Sequence, residues 1–281
     1  MKKIVLFVLF TLSIFADSKI TVVPYVGFGS YSSDVTKDDV LIGLYSIMKE
    51  KGYTVEFALE SKNQNYTDGS KLNQVNIVAS YKTYIENNVK INGLLHYISN
   101  NAPSNGGIIA LIDANKAFKK KFTLGLQVAY SIYNANTLAK NMLQIKPSIK
   151  FKYGNEGSKW GTITPRLSFY YLDPGSSSAG LADNYFSYDF ALTHVKGNFI
   201  SSASIWFGEQ LYAVRDNGFT VYNLNELHTS GFLLSSRYQA AKDIGVKLSY
   251  TSEDYNTYTA GVLGVSGETL NRVLLIADFT F

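Results

Sequence analysis

The chain has 281 residues, with 26 Lys and Arg against 22 Asp and Glu, no cysteine, and 17 Phe beside 21 Tyr. Its mean hydropathy near zero is too polar for a bundle of membrane helices, its aromatic content is too high for a disordered chain, and a net charge of +4 gives no footprint for nucleic acid. The lack of cysteine excludes disulfide frameworks, thiolate catalysis, cysteine-bound metals and the lipidated cysteine of a bacterial lipoprotein.

The N-terminal residues Met1, Lys2 and Lys3 lead into "IVLFVLFTLSIFA", a basic start and a short apolar stretch that read as a secretory signal. Cleavage is expected after Ala16, so residues 1–16 form the signal and residues 17–281 a single domain. Alternation then takes over. In "YTVEFALE", Tyr53, Val55, Phe57 and Leu59 share one face, and Thr54, Glu56, Ala58 and Glu60 share the other. "FTLGLQVAYSIY" from Phe122 and "LQIKPSIKFKY" from Leu143 repeat the pattern. Runs of about 10 residues suit a tilted strand that crosses a membrane, whereas strands of a soluble sandwich run nearer 5 or 6.

The pattern predicts about 14 strands, with 12 or 16 left open. They start near Lys19, Asp39, Tyr53, Asn73, Val89, Gly107, Phe122, Asn141, Trp160, Asn184, Phe199, Thr229, Ile244 and Asn271. Short connections such as "KEKG" and "VKG" alternate with long ones such as "SKNQNYTDGSKLNQ" and "SEDYNTYTAGVLGVSGETL". That sorting fits short periplasmic turns opposite long outer loops. Several residues fit badly. Pro24, Pro147 and Pro165 fall inside strands, where bulges or misplaced strand boundaries are expected; "GGIIALIDANKAF" mixes its faces; Leu94 and Trp206 point inward.

The final run, "VLLIADFTF", alternates Val273, Leu275, Ala277, Phe279 and Phe281 on one face. It resembles the terminal strand of Gram-negative outer-membrane β-barrels, although it lacks their frequent glycine. The resemblance implies an all-β, transmembrane, antiparallel up-and-down barrel in the outer membrane. It also implies contact with outer-membrane lipid and lipopolysaccharide, and recognition of Phe279 and Phe281 by the barrel assembly machinery. In length and strand number the chain resembles the monomeric porins of the outer membrane protein G type.

Function is read from the lumen. Lys146, Lys150 and Lys152 on the eighth strand adjoin Arg166 on the ninth, a basic wall that favours anions. Glu56 is matched by Lys82 on the next strand, and Asp189 also faces inward. The expected function is a porin-like channel for passive diffusion of small polar or anionic solutes, with no cofactor. Whether the loop at 209–228 enters the bore stays open.

A second class is an enzyme. By parity His228 and Ser230 share the lipid-facing side with Phe232 and Leu234, and "HTS" resembles the His-x-Ser arrangement of outer-membrane phospholipases and lipid A deacylases. Glu209 is the candidate to orient the histidine. A loop-presenting adhesin or scaffold is a third possibility. His96, His194 and His228 lie on separate strands without metal-ligand spacing.

Overall fold

The computed structural model describes residues 19–85, 88–101, 106–118, 121–134, 138–155, 157–175, 181–259, 262–264 and 267–281. The expected signal and its cleavage site at Ala16 lie outside the described residues.

Fourteen long antiparallel strands follow the chain. The first seven are β1 Lys19–Tyr31, β2 Thr36–Lys49, β3 Tyr53–Tyr66, β4 Lys71–Ile85, β5 Val89–Asn100, β6 Gly107–Phe118 and β7 Phe122–Tyr133. The rest are β8 Asn141–Phe151, β9 Thr162–Asp173, β10 Tyr185–Lys196, β11 Phe199–Leu211, β12 Glu226–Ala241, β13 Ile244–Thr259 and β14 Glu268–Thr280. Each pairs with its neighbours in sequence, and β14 closes on β1 with Tyr25 opposite Ile276 and Phe28 opposite Val273. At the end of the seam the Phe281 N–H donates to the Ile20 carbonyl at 2.8 Å, and the Ile20 N–H donates back at 3.2 Å. Closure leaves no strand edge for lipid to meet.

The two faces explain why the strands alternate. On β7, Leu124, Leu126, Val128, Tyr130 and Ile132 are exposed on the outside, while Gln127, Ala129 and Ser131 are buried inside. The same apolar-out, polar-in order recurs around the wall, the reverse of a water-soluble fold. Aromatic pairs ring the end that carries the shortest turns: Tyr53 stacks on Tyr81 at 5.7 Å, Phe118 on Phe122 at 4.8 Å, and Phe199 lies 4.9 Å from Tyr238.

Loop sorting is weaker than expected. Much of "SKNQNYTDGSKLNQ" is ladder, with Gln64 opposite Leu72 and Asn65 opposite Lys71, so the connection shrinks to residues 67–70. Likewise Tyr255 pairs with Glu268. At the other end the β8–β9 connection is longer than its counterparts, covering residues 152–161 apart from the two-residue strand Tyr153–Gly154. These polar strand ends lack an apolar outward face, so alternation alone reads them as loop. The prolines cause no bulge either. Pro24 and Pro147 each keep a partner on one side, Leu44 and Leu126, and lose pairing on the other without a change of register.

Inside, glycines open slots for large neighbours. Gly231 lies opposite Trp206, and a Cβ there would overlap the indole. Gly231→Val should therefore lever Trp206 from its site, at a cost of about 1–3 kcal/mol for the overpacking. Trp206 is buried whereas Trp160 is exposed. In a Trp160→Phe background the change should shift indole emission to the red, and an unshifted spectrum would contradict the slot.

Candidate functional site: the lumen and its inward hairpin

The connection between β11 and β12 does not extend away from the barrel. It folds into the bore as a small hairpin in which Val214 pairs with Val221 and Arg215 with Thr220. The local sequence favours this. Gly208 takes φ +101° at a bulge in β11, and Tyr212 takes φ +51°. At the tip Asp216, Asn217 and Gly218 take φ of +48°, +57° and +98°, a left-handed run that Asp, Asn and Gly tolerate best.

Polar contacts fix the hairpin to the wall. Gln144 on β8 grips Val214 from both sides, accepting from its N–H at 2.9 Å and donating to its carbonyl at 2.8 Å. Nδ1 of His96 on β5 lies 2.9 Å from the Gly218 carbonyl. Asn223 donates to Gln74 at 2.7 Å. The Tyr222 hydroxyl donates to Glu253 at 2.8 Å, and burial holds that phenol well above its ordinary pKa, so it remains a neutral donor. Arg215 carries the most contacts: it donates to Gln210 at 2.9 Å and to Asp189 at 3.0 Å, and its guanidinium sits 4.0 Å from the Trp206 ring centre.

Apolar contacts complete the seat. Val214, Phe219 and Val221 pack on an inward patch of Ala58, Val78, Leu94, Ile98, Ile109 and Leu111. Leu211 and Tyr212 join a second cluster with Tyr133, Tyr170, Leu172 and Tyr185. Leu94, Trp206 and the inward half of β6 thus point into the lumen because the hairpin covers them.

The hairpin narrows the bore without filling it. A cavity of about 400 Å³ is bounded by Glu60, Lys62, Arg272 and the hairpin residues Arg215 and Asn217. A second, of about 270 Å³, lies between Asn217 and the wall of β4 to β8. Asn217 lines both. Charges along the wall are largely paired: Asp39 accepts from Tyr31 at 2.7 Å and pairs with Arg272 and with Lys62, the latter at 3.6 Å. Glu60 accepts from Tyr25 at 2.9 Å and from Asn76 at 2.7 Å.

The residues singled out in the sequence fall as follows. Glu56 forms an ion pair with Lys82 and accepts from Ser80 at 2.9 Å. Lys146 is buried with its Nζ 4.8 Å from the Tyr170 ring centre. Lys150 sits opposite Arg166 across the β8–β9 ladder. Lys152 lies in a break in the strand and is exposed. Arg166 donates to Asp189 at 3.0 Å, so the basic wall is partly neutralised by an acid on the next strand. Phe279 and Phe281 are both exposed, in keeping with an outward position at the seam.

His228 and Ser230 do not share a face. The β12–β13 register shifts between them, so that His228 pairs with Tyr255 and Ser230 with Asp254. One extra residue reverses the parity. His228 is buried inside, stacked on Tyr222 with ring centres 3.7 Å apart, and its ring nitrogens lie 3.4 Å from Glu253 and 3.6 Å from Glu226. Ser230 donates to Asp254 at 2.8 Å, and Glu209, expected to orient the histidine, is exposed.

No protein-family model and no curated protein matches the chain. Solved structures do. The chain is similar to a bacterial polysaccharide outer membrane secretin at 12% identity and TM-score 0.55, covering 93% of this chain and 98% of that one. A Pseudomonas aeruginosa FadL homologue matches at 8% identity and TM-score 0.53, covering 94% and 90%. The Acinetobacter baumannii outer membrane protein Omp33 matches at 10% identity and TM-score 0.50, covering 94% and 99%. Identities this low speak for fold alone, and in fold the chain is a closed, 14-stranded antiparallel β-barrel of outer-membrane type.

Proposed function

We propose that the protein is an outer-membrane channel for passive diffusion of small polar solutes, with a preference for anions. One observation carries this reading: an apolar exterior surrounds a polar lumen that the hairpin constricts but leaves hollow on both sides of Asn217. The likeness in fold to outer-membrane proteins supports the location. On this reading the short turns face the periplasm and the loop end faces outward. Planar-bilayer recording of the refolded protein is the test, and a folded barrel that carries no current would overturn it.

The anion preference rests on Lys146 and Lys150 beside Arg166, facing one side of the bore. Fixed charges close to a permeating ion act through a medium less polarisable than bulk water, so they outweigh the small net charge of the chain. Lys146→Gln, Lys150→Gln and Lys152→Gln together should remove the preference or turn it toward cations. The wild-type preference should fade as the screening length falls to roughly 3 Å at 1 M salt. Reversal potentials across a salt gradient decide the matter: a cation-selective wild type, or no shift in the triple variant, would contradict the wall's role.

A further inference from the structure

We propose a binding site for a small oxyanion in the cavity of about 270 Å³ on the short-turn side of the hairpin, held by Lys90, Lys150 and Asn92. The proposal deepens the channel reading and relies on it for the route of access.

The barrel register assembles this site. Lys82, Asn92, Asp113, Gln127 and Lys146 form one continuous cross-strand row over β4 to β8. Beyond it, Lys90 faces Asn115 on β6, and Lys150 faces Thr123 on β7. All these positions look inward, so one patch of wall presents several cations to the same hollow. Lys82 is already paired with Glu56. Among the described residues no carboxylate lies within ion-pair distance of Lys90 or Lys150. Among the described residues that line the cavity Asp113 is the single acid, and Asn115 donates to it at 2.6 Å.

An independent observation points to a ligand. Asn92 is only 2% exposed, yet among the described residues neither its Nδ2 nor its Oδ1 has a partner. Buried amides are rarely left so, because both ends lose water without compensation. In the adjoining recess, which Lys146, Lys150 and Asn217 also line, the Ser168 hydroxyl and the Arg166 Nε likewise find no partner among the described residues. The cavity thus offers the ammonium groups of Lys90 and Lys150 and the amide of Asn92, whose N–H donates and whose oxygen can accept from a protonated oxyanion, while the guanidinium N–H of Arg166 and the hydroxyl of Ser168 lie in the recess that Lys150 shares. A group with several acceptor oxygens and more than one negative charge can satisfy several of them at once. Phosphate and carboxylate carriers share that chemistry. Asn217, at the hairpin tip, closes the cavity from the bore side.

The test uses the full-length barrel folded in detergent, with equilibrium dialysis of inorganic phosphate at low salt. One saturable site is expected. Lys90→Gln or Lys150→Gln should each weaken it by about tenfold, the scale of one lost charge-assisted hydrogen bond. Asn92→Ala should weaken it less. Lys51→Gln, which removes the same charge from an exposed turn, should leave it unchanged. Heat-modifiable mobility on gels confirms folding of each variant. Competition by succinate then separates the two sources: strong displacement assigns the site to carboxylates, and weak displacement to phosphates. In bilayers phosphate should reduce chloride current with the same ranking of variants. No saturable uptake, or equal weakening by Lys51→Gln, would overturn the site. A barrel that conducts but does not bind refutes the site alone, and one that binds but does not conduct refutes the channel reading.

Discussion

Excising residues 213–223 and joining Tyr212 to Leu224 by a short Gly-Ser link should raise single-channel conductance several-fold while the barrel still folds. The hairpin takes no part in the wall, because every strand from β1 to β14 already has both neighbours. Its removal leaves the ladder hydrogen bonds untouched. What is lost is the cover over Leu94, Ile98, Ile109 and Leu111, whose apolar side chains would then meet water. Rewetting that patch costs stability at about 25 cal/mol per Å² of apolar surface, yet lipid and the closed ladder continue to hold the cylinder. A bore of about 14 strands without an internal segment is wide enough for a water-filled passage. Unchanged conductance in the excised form would show that ions already pass beside the hairpin, and that it is not the constriction.

Asp189→Ala should release the hairpin rather than unfold the barrel. Asp189 is 1% exposed and accepts from Arg166 and Arg215, each at 3.0 Å. Arg166 is partly hydrated, so its share of the pair is small. Arg215 is different. It is 7% exposed and wedged against Trp206, where an uncompensated cation costs about 3–5 kcal/mol. Each neutral anchor, such as Gln144 to the Val214 backbone, contributes only about 0.5–1.5 kcal/mol. Loss of the acid therefore outweighs several of the remaining bonds, and Arg215 leaves its site with the tip attached. The expected result is a flickering current of higher mean conductance, red-shifted Trp206 emission and little change in the melting of the barrel. Asp189→Asn, which keeps the acceptor oxygen, should fall between the two. A quiet trace at the wild-type level in the alanine variant would contradict the latch.

The barrel was legible because its cause is local. A wall with lipid outside and water inside forces a period of two, and Gln127, Ala129 and Ser131 against Leu126, Val128 and Tyr130 display it without reference to any other strand. Strand number and most starts, from Lys19 to Ile244, follow from the same pattern. The sequence also held traces of the hairpin in the apolar residues at inward positions, Leu94, Ile109, Leu111 and Trp206, which a merely hydrated lumen does not explain. It did not say what covered them. That depends on contacts between distant segments, such as Gly218 with His96 and Asn223 with Gln74, which carry no periodic signature.

Parity failed where a single residue was inserted. His228 and Ser230 are two apart and read as one face, but the bulge between them sends the histidine inward to Tyr222 and leaves the serine outside with Asp254. A bulge is set by the pairing of two strands, so neither strand announces it alone. The basic wall shows the same division. Its lysines were placed by counting along one strand, whereas the acid that answers Arg166, the orphaned amide of Asn92 and the roof at Asn217 were brought together only by register across strands and by the infolded hairpin. Alternation along the chain determined which side of the wall a residue faces wherever the ladder runs without a bulge; only the closed sheet decided where the bulges fall and which residues meet across the bore, because both depend on pairing partners far apart in the chain.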